Sequence, residues 1–184
     1  MTLSDRLKGI NIYLVGMMGT GKTTIGQILA PQLDYRFFDC DHLLEKVAQT
    51  SISEIFATQG ETTFRELETQ ILSQLYAYTR SVISTGGGIV LKPENWSYLR
   101  HGLVIWLDAS VELLCQRLRD DQTRPLLQDN DLEAKLTSLA KQRRHLYAEA
   151  DLQIIIQPEQ TPEAIAAEIL REIPTVLKPE IHSR

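Results

Sequence analysis

Short apolar runs and longer stretches with helical spacing alternate along the whole chain. Runs at 10–15 (INIYLV), 36–39, 81–84, 103–107 (LVIWL) and 152–156 (LQIII) are rich in β-branched and aromatic residues and predict strands. Most lack strict in/out alternation, the pattern of a sheet covered on both faces. Helical spacing appears at 22–33, 41–47, 62–78, 111–119, 132–149 and 162–171. This strand–helix alternation predicts an α/β fold of three layers, with helices wound on both faces of a parallel sheet. Ser51 and Glu54 read as a capping box ahead of Ile55 and Phe56, and Thr161-Pro162 as an N-cap followed by a proline in the first turn.

No repeat, low-complexity tract or Pro/Gly/Ser-rich linker divides the chain, so its 184 residues are expected to form a single domain with a core over about 10–172. The stretch 174–184 carries two prolines and little periodicity and is expected to be a loose tail. The polar stretch at about 119–131, with Arg124 and Pro125 in its middle, breaks the rhythm and is the candidate lid. Its alternative is a solvated surface loop.

Hydrophobic residues make up 43% and charged residues 23%, which excludes disordered and fibrous classes. A net charge of -5 argues against a protein that coats nucleic acid. Cys40 and Cys115 lack metal-ligand spacing and are expected to be reduced, buried thiols. The N-terminal stretch has no signal or transit character and no apolar run spans a membrane, so the chain reads as cytoplasmic with small-molecule partners.

Chemistry enters with Gly16-Met17-Met18-Gly19-Thr20-Gly21-Lys22-Thr23-Thr24, which fits GxxxxGK(S/T) between a strand and a helix. In that context backbone N–H groups curl around phosphate oxygens, Lys22 reaches the β- and γ-phosphates and Thr23 ligates Mg²⁺. Asp39-Cys40-Asp41 closes the second strand, where open α/β sheets bind ligands. One carboxylate there suits Mg²⁺ through water, and the other suits a hydroxyl that attacks the γ-phosphate. The alternative for Asp41 is a helix N-cap. Thr85-Gly86-Gly87-Gly88 closes the third strand. Three glycines there imply either a close approach to the backbone or a positive φ, with a tight turn as the plainer alternative. Arg65, backed by Glu68 three residues on, and Arg143 are the natural clamp for a carboxylate, whereas Arg144 reads as solvated. Arg124 in the candidate lid suits charge developing on a transferred phosphoryl group. These residues describe a small-molecule kinase using MgATP on a hydroxylated acid.

The motifs GMMGTGKTT, FDCD, IFATQGETTFRELE, STGGG, RPLL and RRHLY, in that order over nearly the whole chain, resemble the shikimate kinase family. The resemblance implies a phosphate-loop fold of the nucleoside-monophosphate-kinase type, with a five-stranded parallel sheet and a lid. It implies transfer of the γ-phosphoryl group of ATP to the 3-hydroxyl of shikimate, with one Mg²⁺ and a monomeric enzyme. It gives Lys22 and Arg124 to the phosphates, Thr23 and Asp39 to the metal and Arg117 to the adenine. Asp41 becomes the candidate base beside the substrate hydroxyls, Arg65 and Arg143 hold the carboxylate, Gly87 offers its N–H, and Phe56 and Phe64 line the pocket. His145 stands where many relatives have proline, and Cys40 fills the variable centre of the aspartate pair. Two other readings remain open at this point: a related small-molecule kinase such as a gluconate kinase, and a silent nucleotide-binding relative.

Overall fold

Strand β1 (Ile12–Val15) sits at the centre of a five-stranded sheet in the order β2-β3-β1-β4-β5, every pairing parallel. The other strands are β2 (Arg36–Asp39), β3 (Ser81–Ser84), β4 (Leu103–Asp108) and β5 (Leu152–Ile155). This computed structural model describes residues 2–119 and 131–177. Successive strand residues point to opposite faces, and here both faces are apolar. Ile12, Leu14, Val82 and Ile105 enter one core, and Tyr13, Val15, Ile83 and Trp106 the other.

Helices α1 (Leu3–Leu7), α2 (Lys22–Gln32) and α8 (Pro162–Val176) cover the first face with Leu7, Ile25, Leu29, Ile165 and Ile169. The second face is covered by α4 (Ile52–Tyr76), α5 (Pro93–Leu99) and α7 (Leu132–Tyr147), while α6 (Val111–Leu118) contributes to both cores. Helix α3 (Cys40–Ala48) packs against α4 through Leu44.

Two predicted strands, β2 and β3, have the expected bounds, and the other three differ by one or two residues. The helices differ more. α4 begins at Ile52, ten residues before the predicted start, and holds a kink at Gly60, whose φ of 82° and ψ of 172° leave the helical region. Ser51 caps it, its hydroxyl accepting from Glu54 N at 3.1 Å. A glycine takes that φ without steric cost, so one periodic segment becomes two helices at an angle. α1 and α5 were not predicted; α5 opens on Pro93 with no side-chain cap from Lys92. At the other end α8 runs through Pro174 to Val176, into the expected loose tail. Ile173, fully buried in the core, anchors that last turn. The rest of the tail, 178–184, and Arg124 of the candidate lid lie outside the described residues. Among the described residues, no helix is long and apolar enough to cross a membrane.

Candidate functional site

The carboxyl ends of β2, β3 and β1 lie side by side along one edge of the sheet and release, in turn, the aspartate pair, the glycine run and the phosphate loop. In the phosphate loop Gly16, Gly19 and Gly21 have φ of 142°, 83° and 93°. A Cβ on Gly16 would also come to 2.5 Å of the Leu107 carbonyl oxygen, so neither the backbone shape nor the space admits a side chain. Thr20, fully buried, donates from Oγ1 to the Met17 carbonyl at 2.9 Å and closes the turn. Lys22 opens α2 and donates from Nζ to the Gly16 and Met17 carbonyls at 2.8 and 2.9 Å, which holds its ammonium inside the loop. Thr24 lies exposed in the first turn of α2. Arg117, from α6, donates to the Gly19 carbonyl at 3.0 Å and so borders the same loop.

Asp39 rather than Asp41 caps α3: its Oδ1 accepts from His42 N at 3.0 Å, and Asp41 sits in the first helical turn. The other oxygen, Oδ2, accepts from Thr23 Oγ1 at 2.6 Å, and Ser84 Oγ lies 3.3 Å from that hydroxyl. This is an oxygen-only donor set joining β2, α2 and β3. No group of three or more His, Cys, Asp or Glu that would hold a metal by itself occurs among the described residues. The set therefore suits a hard cation such as Mg²⁺, which takes one or two protein oxygens and completes its shell with water and phosphate. Cys40, between the aspartates, points into the core, where burial pushes its thiol well up; Cys115 is only half buried.

The glycine run is reserved by close approach, not by backbone shape, since none of its three residues has positive φ. A Cβ on Gly86 would strike Glu68 Oε1 and lie 3.1 Å from Asp41 Oδ1. One on Gly87 would lie 3.5 Å from Arg143 Nη1 and 3.4 Å from Met18 N of the phosphate loop. One on Gly88 would strike the Arg65 guanidinium. Asp41, Glu68, Arg65 and Arg143 thus converge on three consecutive backbone units beside the phosphate loop. Thr85 ties that backbone to β1 by donating from both N and Oγ1 to the Leu14 carbonyl, at 3.2 and 2.8 Å. Beneath it, Asn95 Nδ2 donates to the Ile89 carbonyl and Trp96 Nε1 to the Val90 carbonyl.

The clamp arginines are held differently. Arg65 Nη1 donates to Glu68 Oε2 at 2.8 Å, and its other face meets Glu61 at 3.0 Å. Glu68 holds the Arg65 charge more firmly, yet at Glu68 itself burial outweighs the arginine's pull and moves the carboxyl up. Arg143 is 2% exposed, and its Nε and Nη1, like Glu68 Oε1, have no hydrogen-bond partner among the described residues. Buried polar groups are normally paired, so these donors describe a place made for an anion. The kink at Gly60 completes the pocket. Phe56 and Phe64 would be about 12 Å apart along a straight helix, yet their rings lie 4.7 Å apart, with Arg65 above the Phe64 ring at 5.0 Å.

Tyr147, the last residue of the RRHLY motif and one to which the motif itself assigns no role, donates its hydroxyl to the Gly87 carbonyl. Burial pushes its phenol up to about 12, so it remains a donor at any working pH. Arg144, expected to be solvated, is exposed but forked onto Asp108. Helical position alone gives no sign of either partner.

Against known proteins, the shikimate kinase family model matches residues 18–174. A shikimate kinase of Rippkaea orientalis is 63% identical over 183 residues, 100% of this chain and 98% of that protein. The structure of shikimate kinase from Acinetobacter baumannii in complex with shikimate has a TM-score of 0.89 at 39% identity, covering 93% of this chain and 96% of that one. A deoxyadenosine kinase from M. mycoides shares the fold alone, with a TM-score of 0.59 at 16% identity over 91% of this chain and 100% of that one. Phosphate loop, aspartate pair and glycine run thus meet on a sheet whose likeness to these kinases extends over nine-tenths of the chain, and the chain belongs to the shikimate kinase family.

Proposed function

We propose that this chain transfers the γ-phosphoryl group of ATP to the 3-hydroxyl of shikimate, giving shikimate 3-phosphate and ADP. The observation that carries the reading is the meeting of a buried Arg143, whose Nε and Nη1 have no partner among the described residues, and a Glu68-backed Arg65 on the glycine run, within contact of the phosphate loop. A carboxylate held there by two guanidiniums leaves the rest of a small ring between Asp41 and the loop. Phe56 and Phe64 supply the apolar wall, and Gly87 the backbone N–H.

The reaction asks the protein mainly for positioning and charge. A bond forms between the substrate oxygen and the γ-phosphorus while the bond from that phosphorus to the β–γ bridging oxygen breaks, its electron pair leaving with ADP. The hydroxyl proton passes to the Asp41 carboxylate. Lys22 draws the β- and γ-phosphates into the loop, and Arg124 stabilises the charge that develops on the transferred group. Arg117 packs on the adenine. Thr23, and Asp39 through water, would hold Mg²⁺, which would supply positive charge beside the phosphates.

ADP release with ATP and Mg²⁺, alone and with shikimate, gluconate or AMP, tests the reading. Release that depends on shikimate is expected. ADP formed only with gluconate would make this a related small-molecule kinase; none with any acceptor, while ATP still binds, would make it a silent relative.

A further inference from the structure

Two consecutive arginines near the end of α7 point in different directions, one inward and one outward. Arg143 is buried in the site, and the Arg144 side chain is 63% exposed. Yet Arg144 is tightly engaged: Nη1 and Nη2 donate to the two oxygens of Asp108 at 3.1 and 2.9 Å, and its guanidinium lies 4.9 Å from the Trp106 ring centroid. Asp108, at the end of β4, is largely shielded and also accepts from Gln153 Nε2 of β5 at 2.8 Å. The Trp106 ring in turn stacks with Tyr147 at 6.0 Å, and Tyr147 reaches the Gly87 carbonyl. A continuous chain of directional contacts therefore runs from the ends of β4 and β5, through α7, to the backbone of the glycine run.

The space beside this chain is not filled. A cavity of about 320 Å³ lies between α7 and the strand ends, lined by Met17, Trp106, Asp108, Ala140, Arg144 and Tyr147. Leu136, Leu139 and Tyr147 seat α7 in the core, and beside the opening the fork adds a directional restraint to that packing. Exposed ion pairs usually contribute little. A two-bond fork on a shielded carboxylate, with the guanidinium stacked on indole, is the geometry in which arginine holds most firmly.

We propose that Arg144 and Asp108 are positioning residues for the acid clamp: their fork sets the rotation of the last turns of α7 and thereby the reach of Arg143 towards Gly87. The inference rests on the shikimate-phosphorylating reading given above. Neighbours on a helix are about 100° apart and rigidly linked. Rotation by about 10° at a guanidinium radius of about 7 Å carries Arg143 about 1 Å off line, and misplacement of that size is costly for a bound substrate.

The test is steady-state kinetics of the full chain as Arg144→Met, Arg144→Lys, Asp108→Asn and the Arg144→Met/Asp108→Asn pair. Arg171→Met is the control, because Arg171 pairs with Glu172 at 3.0 Å on α8, which covers the opposite face of the sheet from α7. Expected is a rise in KM for shikimate of about tenfold in each single variant, with kcat and KM for ATP within about twofold. The double variant should be no worse than the singles, and Arg144→Lys, which keeps the charge and loses the fork, should not be rescued. Arg171→Met should match wild type. KM for shikimate unchanged in Arg144→Met and Asp108→Asn, or KM for ATP rising in parallel, overturns the proposal. A wild-type chain that ignores shikimate would instead refute the functional reading. The NMR signal of Arg143 Nε–H in the unliganded protein then decides the fork by itself, since it must move in Arg144→Met and an unmoved signal overturns the proposal.

Discussion

Replacing Gly88 with alanine separates the two reasons a glycine can be required. Its φ of -94° and ψ of 4° are open to alanine, so the substitution carries no backbone strain. The whole effect is steric, since the new Cβ would lie 2.5 Å from Arg65 Nη2 and nearer still to Cζ and Nη1. Ordinary contact between such atoms needs about 3.5 Å, so the guanidinium must retreat by about 1 Å or more. Its 2.8 Å bond to Glu68 then stretches beyond hydrogen-bond range. Glu68 is 1% exposed, and separating a buried pair costs about 3–5 kcal/mol. Glu61, half exposed, can still hold Arg65, which places the loss near the lower figure, about 3 kcal/mol.

For a chain of this size that loss lowers Tm by roughly 6–12 °C. The displaced guanidinium also gives up a charge-assisted bond to the substrate carboxylate, about 1.5–3 kcal/mol, or roughly 10- to 150-fold in KM. Initial rates of ADP formation against shikimate at saturating ATP, with thermal unfolding alongside, measure both. KM for shikimate should rise by that factor while KM for ATP stays within about twofold. Unchanged shikimate KM together with unchanged Tm would falsify the close-approach account of the glycine run.

Three further outcomes follow from the same geometry. Asp41→Asn should lower kcat by about a hundredfold or more with ATP binding intact, checked by turnover beside nucleotide titration; normal turnover removes Asp41 from the chemistry. Tyr147→Phe leaves the Gly87 carbonyl without its donor, so stability should fall by about 1–3 kcal/mol in denaturant unfolding, and an unchanged midpoint would show that the bond contributes nothing. Because burial raises the Glu68 carboxyl, the folded chain keeps that proton to higher pH than the unfolded chain, where glutamate titrates near 4.3. The stability this brings is complete below about 4.3 and is lost as pH rises through the folded value, so Tm of wild type minus that of Glu68→Gln should shrink with rising pH; a constant gap contradicts the burial effect.

What was legible in the sequence was whatever depends on neighbours along the chain. β2 and β3 showed because β-branched and aromatic runs between turn residues need only local inspection. The phosphate loop showed because its glycines, lysine and threonine act within one turn of backbone. The kink at Gly60 did not, since a glycine within a helical pattern looks the same whether it sits in the helix or breaks it. Here the break is settled by the contact of Phe56 with Phe64, a tertiary event. α8 passed its proline because Ile173 is buried against the sheet, which periodicity near a chain end does not reveal. The glycine run lay between these cases. Its composition announced a constraint, but only the approach of Glu68, Arg143 and Arg65 from distant parts of the chain says which one.

The distribution of charge explains why an acidic chain can bind two anionic molecules side by side. Lys22, Arg65 and Arg143 are all buried, and a buried charge must be compensated or it shifts towards neutrality. Arginine does not lose its proton, so compensation has to come from partners. The phosphate loop compensates Lys22 with two backbone carbonyls, and α4 compensates Arg65 with Glu68 and Glu61. Arg143 instead retains two donors with no partner among the described residues, beside the glycine run. If every cation were paired internally, an incoming carboxylate would have to displace a protein partner and would gain little. With Arg65 secured by its own glutamates and Arg143 left open, one arginine supplies a fixed frame and the other supplies the attraction. The fold provides both from separate helices, α4 and α7, which converge on the backbone that closes β3.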